Sequence, residues 1–191
     1  MAMRLPILHP EHLGAEQRDL YDDMVDVIDR SFGDLIARLP DGALVGPFNA
    51  WLHFPQFGRA AWALNRALWD HRVLPDDIHQ MVILVTAARF GARYEIYGHE
   101  YFAMRAGLST EKIATICGGE RPADLSQAER AAYDMAAGLN RGGSLPETTY
   151  QGALAQFGAN GVAEIAFLVG CFSMVAVTLN AFDVSVPGRD E

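Results

Sequence analysis

The chain has 191 residues, half of them hydrophobic and 20% charged, with a formal net charge of −9. A chain of this length buries roughly 70% of its unfolded surface on folding, so no disulfide or metal staple is needed to hold it together. The acidic balance and the lack of any run of Lys or Arg argue against nucleic acid or an anionic membrane surface as a partner.

The opening residues, MAMRLPILHPEHLG, show neither the basic n-region nor the apolar h-region of a signal peptide. Cys117 and Cys171 are the two cysteines and lie far apart, so no disulfide framework is expected and a reducing cytoplasm is the expected compartment. Helical signals then dominate. In AEQRDLYDDMVDVIDRSFG, Leu20, Tyr21, Met24, Val27 and Ile28 recur at helical spacing and Gly33 supplies a stop. A loop rich in Pro and Gly, LPDGALVGPFNAWLHFP, precedes a helix over 56–71 that carries Phe57, Ala61, Leu64 and Leu68. Pro75, Asp76 and Asp77 suit a helix N-terminus and open the next helix, 76–90. There Ile78, Met81, Val82, Ile83, Leu84 and Val85 make the helix apolar nearly all round, as a central helix is.

A further helix follows Gly91, over 92–106, and Ser109 caps the one after it. Ser126 with Glu129, and Ser144 with Glu147, match capping-box spacing and predict two more starts. The last long helix spans about 161–182. Its apolar run, VAEIAFLVGCFSMVAVTLNAF, is long enough to raise the question of a membrane span. Glu164, Ser173, Thr178 and Asn180 interrupt it and no basic residues flank it, which favours a helix buried in a core or a subunit interface. With no run of strict alternation, the fold class is all-α, in a single domain over 1–191 with a helical N-terminal extension over 1–45.

There is a weak internal repeat. RAAWALNRALWDHRVLPDD (59–77) aligns without a gap to RAAYDMAAGLNRGGSLPET (130–148). After an insertion, IHQMVILV (78–85) faces VAEIAFLV (162–169), which sets Gln80 opposite Glu164.

ARYEIYGHEYFA (92–103) carries the candidate chemistry. Glu95 and His99 are four apart, so on a helix they share one face. On a solvated helix such a pair contributes only about 0.2–0.5 kcal/mol and needs no function. Tyr94, Ile96, Tyr97 and Phe102 crowd this one, and ionisable groups in apolar surroundings have perturbed proton affinities. No H-x-x-x-H or H-E-x-x-H spacing occurs, so no metal site is expected, and GARYEIYG lacks the context of a nucleotide-binding glycine loop. His71 and His79 read as surface residues.

The chain resembles the carboxymuconolactone decarboxylase and alkylhydroperoxidase-D-like superfamily, in its longer branch. The resemblance rests on GPFNAWLHFPQF, LPDDIHQMVILVTAARFGARYEIYGHEYFAMRAGLS and EIAFLVGCFSMVAVTLNAFDVSVP, and covers most of residues 45–187. It implies a helical bundle with a central antiparallel hairpin of 76–90 and 92–106, assembled as a trimer or hexamer. The cysteine pair of the peroxidase-type members falls on Ala92 and Glu95 here, the following histidine on His99 and the upstream glutamate on Gln80. Ile96 and Gly98 stand where relatives often carry tryptophan and a further histidine. Without the thiol pair, the resemblance points to the decarboxylase-like chemistry, which uses no metal or organic cofactor. His99 and Glu95 are then the catalytic candidates, with a histidinium delivering the proton and Glu95 beside it raising its proton affinity. His53, Gln80 and Arg93 are the candidates for binding a small acidic lactone or cyclic ketone. The alternatives are a peroxidase-like member that has lost its thiol pair and a non-catalytic, ligand-binding helical oligomer.

Overall fold

The computed structural model describes residues 4–188, and among them eight α-helices and one short 3-10 turn account for all the regular structure apart from a single isolated bridge between Arg38 and Leu44. The chain divides into two compact units, one formed by the chain up to Arg66 and again from Thr178, the other by Ala67–Val177. Residues up to 45, expected as an N-terminal extension, belong to the first unit.

In the first unit, α1 (Ala15–Ser31) buries the five residues that set its helical period: Leu20, Tyr21, Met24, Val27 and Ile28. The Tyr21 hydroxyl donates to the Gly42 carbonyl at 2.8 Å and anchors the following loop. Pro47 starts α2 (Pro47–His53), where a fixed φ costs nothing at the first helical position. Phe48 meets Trp51 and Trp62 edge-on at 5.7 and 5.9 Å, in the arrangement that ring quadrupoles favour. The helix α3 (Pro55–Asp70) begins beside this cluster. At Gly58 a Cβ atom would lie 2.3 Å from the Trp51 carbonyl oxygen, so only glycine fits there.

The second unit is built on α4 (Asp76–Phe90). Its ten consecutive residues Ile78–Ala87 are all buried, because α5 (Arg93–Arg105), α6 (Thr110–Cys117) and α7 (Gln127–Arg141) pack around it. Gly91 adopts the left-handed conformation (φ 59°) that ends α4, and with Ala92 it turns the chain so that α5 returns along α4. Ser109 accepts from the Lys112 N–H and caps α6, and Ser126 and Glu129 form the expected capping box of α7.

The start predicted at Ser144 lies two residues further on. Pro146 occupies the cap, its carbonyl accepting from the Tyr150 N–H at 3.1 Å, as the Pro75 carbonyl accepts from the His79 N–H at 2.9 Å. Both copies of the internal repeat thus use their Leu-Pro pair to open a helix. The second of these helices, α8 (Glu147–Ala181), is longer than the predicted 161–182 because it includes an earlier segment, separated by a break at Gly158 (φ 65°, ψ −177°). By length and composition α8 qualifies as a membrane span, but more than half of its most apolar stretch is buried inside the protein, as in a core helix.

Replacing Gly58 by Ala drives a methyl group into rigid backbone. We expect a loss of about 1–3 kcal/mol, the usual cost of overpacking, read as a lowered midpoint in urea at unchanged slope. An unchanged midpoint would show that α2 and α3 are free to separate.

Candidate functional site

Two consecutive residues of α4, His79 and Gln80, take part in the polar contacts of the second unit. Both are buried. Each engages in a side-chain hydrogen bond with another helix, since a helix without a solvent face must satisfy its polar groups internally. The His99 Nδ1–H of α5 donates to Gln80 Oε1 at 2.8 Å. With that proton on Nδ1, Nε2 is the bare, accepting nitrogen. The His99 ring stands edge-on to Phe172 of α8 at 4.9 Å and tilted against Phe102 at 5.8 Å. Burial, with a contribution from the neighbouring His79 charge, pushes the His99 imidazole down to about 3. It is neutral throughout the physiological range.

His79 is only 3% exposed and engages Glu164 of α8 through Nδ1 and Oε1 at 2.8 Å. The other Glu164 oxygen accepts the backbone N–H groups of Val73 and Leu74 at 2.7 and 3.0 Å. Burial raises the proton affinity of this carboxyl, but the bonds from His79, Val73 and Leu74 outweigh it, so the group lies below the usual carboxylate range.

Glu95 behaves in the opposite way. It lies in the first turn of α5, where the helix dipole favours a negative charge, yet it is 3% exposed and neither carboxyl oxygen has a hydrogen-bond partner. Burial holds it well above the usual carboxylate range and so favours its protonated form. Leaving such a group unsatisfied costs about 1–3 kcal/mol. Beside it in sequence Tyr94 is buried and edge-on to Tyr97 at 5.8 Å, and burial raises its hydroxyl.

The structure corrects several expectations. Glu95 and His99 share a helix face and both point inward, but they are not hydrogen-bonded to each other. Gln80 takes the His99 nitrogen, and burial favours the uncharged form of Glu95, which does not raise the affinity of the imidazole. The expected histidinium is therefore a neutral imidazole, with burial as the cause. His79, read as a surface residue, is in the core. His53 belongs to the first unit, where its Nε2–H donates to the Pro6 carbonyl at 2.8 Å. Arg93 is exposed. Gln80 is in the cluster as the anchor of His99. Sequence reasoning assigned no role to Glu164, although the repeat had set it opposite Gln80. The Cys117 thiol is pushed up to about 12 by burial and by Glu100, and Cys171 is buried in the core.

Residues 55–138, from α3 into α7, match the model of the carboxymuconolactone decarboxylase family, and this stretch includes Gln80, Glu95 and His99. No curated protein matches the chain by sequence. Among solved structures, a peroxidase-related protein from Ralstonia eutropha JMP134 with an alkylhydroperoxidase AhpD core is 17% identical and superposes with a TM-score of 0.80, over 98% of this chain and 93% of that one. A cysteine-to-alanine variant of the debrominase Bmp8, in complex with 2,3,4-tribromopyrrole, is 15% identical with a TM-score of 0.72, over 98% of this chain and 94% of that one. These likenesses establish an AhpD-like fold. The family match adds that the stretch 55–138, less than half of the chain, is similar to the carboxymuconolactone decarboxylase family.

The proton on Glu95 has a thermodynamic signature. The folded state holds it above the ordinary carboxylate value of 4.5 and the unfolded state does not. Stability from this group is therefore complete below pH 4.5 and is lost as pH rises toward the folded value, at up to about 1.4 kcal/mol per pH unit. Glu95→Gln lacks that loss. The variant should gain thermal stability over the parent at pH 8 and little at pH 4.5, as circular-dichroism melts would show. An equal difference at both values would mean that Glu95 is ionised in the fold.

Proposed function

We propose that the protein is a cofactor-independent carbon–carbon lyase of the carboxymuconolactone decarboxylase type, acting on a small, unsaturated cyclic acid such as a lactone or a cyclic ketone. The observation that carries this reading is Glu95, a carboxyl group buried one helical turn from His99 with both oxygens unengaged, an environment that favours its protonated form. A fold keeps such a group only against a cost, and a substrate that accepts its hydrogen bond removes the cost. In the reaction the bond between ring carbon and carboxylate breaks, carbon dioxide leaves, and the electron pair enters the conjugated ring as a dienolate. The Glu95 O–H then gives its proton to carbon. His99, with its bare Nε2, is the acceptor through which a proton from solvent returns to the Glu95 carboxylate. The acid and the base thus exchange the roles that spacing alone suggests, as is common where environments push two titrating groups apart. Phe102 and Phe172 around His99 suit a flat, unsaturated ring.

The peroxidase-type alternative needs a nucleophilic thiolate, and Ala92 and Glu95 occupy the positions of that pair. We place the protein in the cytoplasm, where its two free cysteines stay reduced.

A panel of carboxylated muconolactones and related cyclic acids tests the proposal by release of carbon dioxide. Glu95→Gln should lower turnover on the accepted substrate by roughly 10²–10⁴-fold, and His99→Gln should lower it as well, with the helices intact by circular dichroism. Cys117→Ser should leave it unchanged. Full turnover in Glu95→Gln would sink the mechanism.

We infer also that copies of the chain associate through the outer face of α8. Ala163, Ala166, Phe167, Gly170 and Val177 line one side of that helix at helical spacing, with Phe167 60% and Val177 54% exposed. A contiguous apolar stripe of this kind marks a protein interface, and a closed trimer or hexamer would cover it. Light scattering should give a multiple of the chain mass, and Phe167→Glu should reduce it. A monomeric parent at micromolar concentration would remove the claim.

A further inference from the structure

His79 and Glu164 have no part in the reaction as written, yet they form a buried carboxylate–imidazole pair at 2.8 Å in a largely apolar unit. Such a pair is weak evidence for stability, because an apolar pair of the same volume is often neutral or better. Holding down the loop before α4 needs only one carboxylate oxygen, the one that accepts from Val73 and Leu74. The other is reserved for an imidazole, at 2.8 Å, on the residue adjacent to Gln80. Three helices supply the two arrangements, with His99 on α5. From α8, Glu164 grips His79 and Phe172 packs on His99, while from α4, His79 and Gln80 take one imidazole contact each.

The internal repeat deepens the point. Gln80 and Glu164 are equivalent positions of the two copies, and each holds an imidazole Nδ1 at 2.8 Å. One contact is amide to imidazole, the other carboxylate to imidazole. An acid at position 80 would charge His99. The acid at 164 faces His79 instead.

We propose that His79 and Glu164 are positioning residues of the site: a carboxylate–imidazole pair set beside the His99–Gln80 pair, which adds to burial in keeping His99 the proton-accepting member. The inference rests on the proton-transfer reading above and names what sets its polarity. The titrating and charged groups around His99 are few. From α4 there is His79, and from α8 Glu164. On α5 itself there are Glu95, Tyr94 and Tyr97, while Glu100 bonds Cys117 of α6. Arg72, just after α3, is paired with Asp76 at 2.8 Å and lies over Trp69. His79 is therefore the basic group placed to act on the imidazole, in keeping with its contribution, after burial, to the lowered His99 value.

The test reads protonation directly and needs no substrate. In the full chain labelled with ¹⁵N-histidine, His99 should stay neutral to the acid limit of folding. In His79→Asn, where the amide can still meet Glu164, its titration midpoint should rise by about one pH unit or more, the scale on which a nearby charge moves an ionisable group. Glu164→Gln keeps an acceptor for Val73 and Leu74 while discharging the pair, and should move His99 in the same direction. It serves as the second reading if His79→Asn does not fold. Gln80→Glu should raise the midpoint most, by supplying a carboxylate directly. If His79→Asn and Glu164→Gln lower the melting temperature and leave the His99 midpoint in place, the pair is a structural clamp and the proposal falls. If the midpoint moves while Glu95→Gln retains full turnover, the polarity assignment stands and the lyase reading fails.

Discussion

Everything in the second unit follows from α4 having no side turned to water. Ten successive buried residues mean that any polar side chain among them must be satisfied within the protein rather than by water. Most of the ten avoid the problem by being aliphatic. His79 and Gln80 do not, and each reaches its own partner, one on α8 and the other on α5. The contacts that solve a packing problem are the same ones that hold two imidazoles in fixed orientation.

The same dryness decides the charges. In water a glutamate and a histidine four apart on a helix would both be largely in their ordinary states and would attract weakly. Here desolvation disfavours the charged form of each, raising the acid and lowering the base. The charge that does persist is found where bonds offset desolvation, at Glu164 with three donors. The unit therefore sets groups whose charge burial disfavours on α5 close to a bonded carboxylate on α8, with α4 between them in the hydrogen-bonding scheme.

Most of the helical architecture was legible because it rests on local rules. The all-round apolar run of α4, the proline and aspartates that open it, Gly91 at its end and the capping box at Ser126 are each written within a few residues. The helix face shared by Glu95 and His99 was legible for the same reason. What could not be read were contacts across long separations. Nothing within a few residues of His99 shows that Gln80, nineteen residues away, will take its nitrogen. Nor does the polar neighbourhood of His79 in sequence reveal a carboxylate eighty-five residues on. The protonation states depend on this tertiary enclosure and so were assigned the wrong way round for His99. The repeat held a usable clue, since it set Gln80 against Glu164 before either had a partner.

The break in α8 bears on how this arrangement tolerates change. A continuous helix transmits every inserted residue as a rotation of about 100° to all that follows, and one extra residue before Glu164 would swing it and Phe172 off their targets. At Gly158 the helical phase is interrupted, and the residues around it, Ala155, Gln156, Ala159 and Asn160, are exposed. The segment that carries Glu164 and Phe172 begins afresh after that point, so its orientation is independent of the length of the segment before it. Lengthening or shortening the stretch between Pro146 and Gly158 is thereby decoupled from the chemistry, which leaves that stretch open to drift while the two residues eight positions apart stay in register.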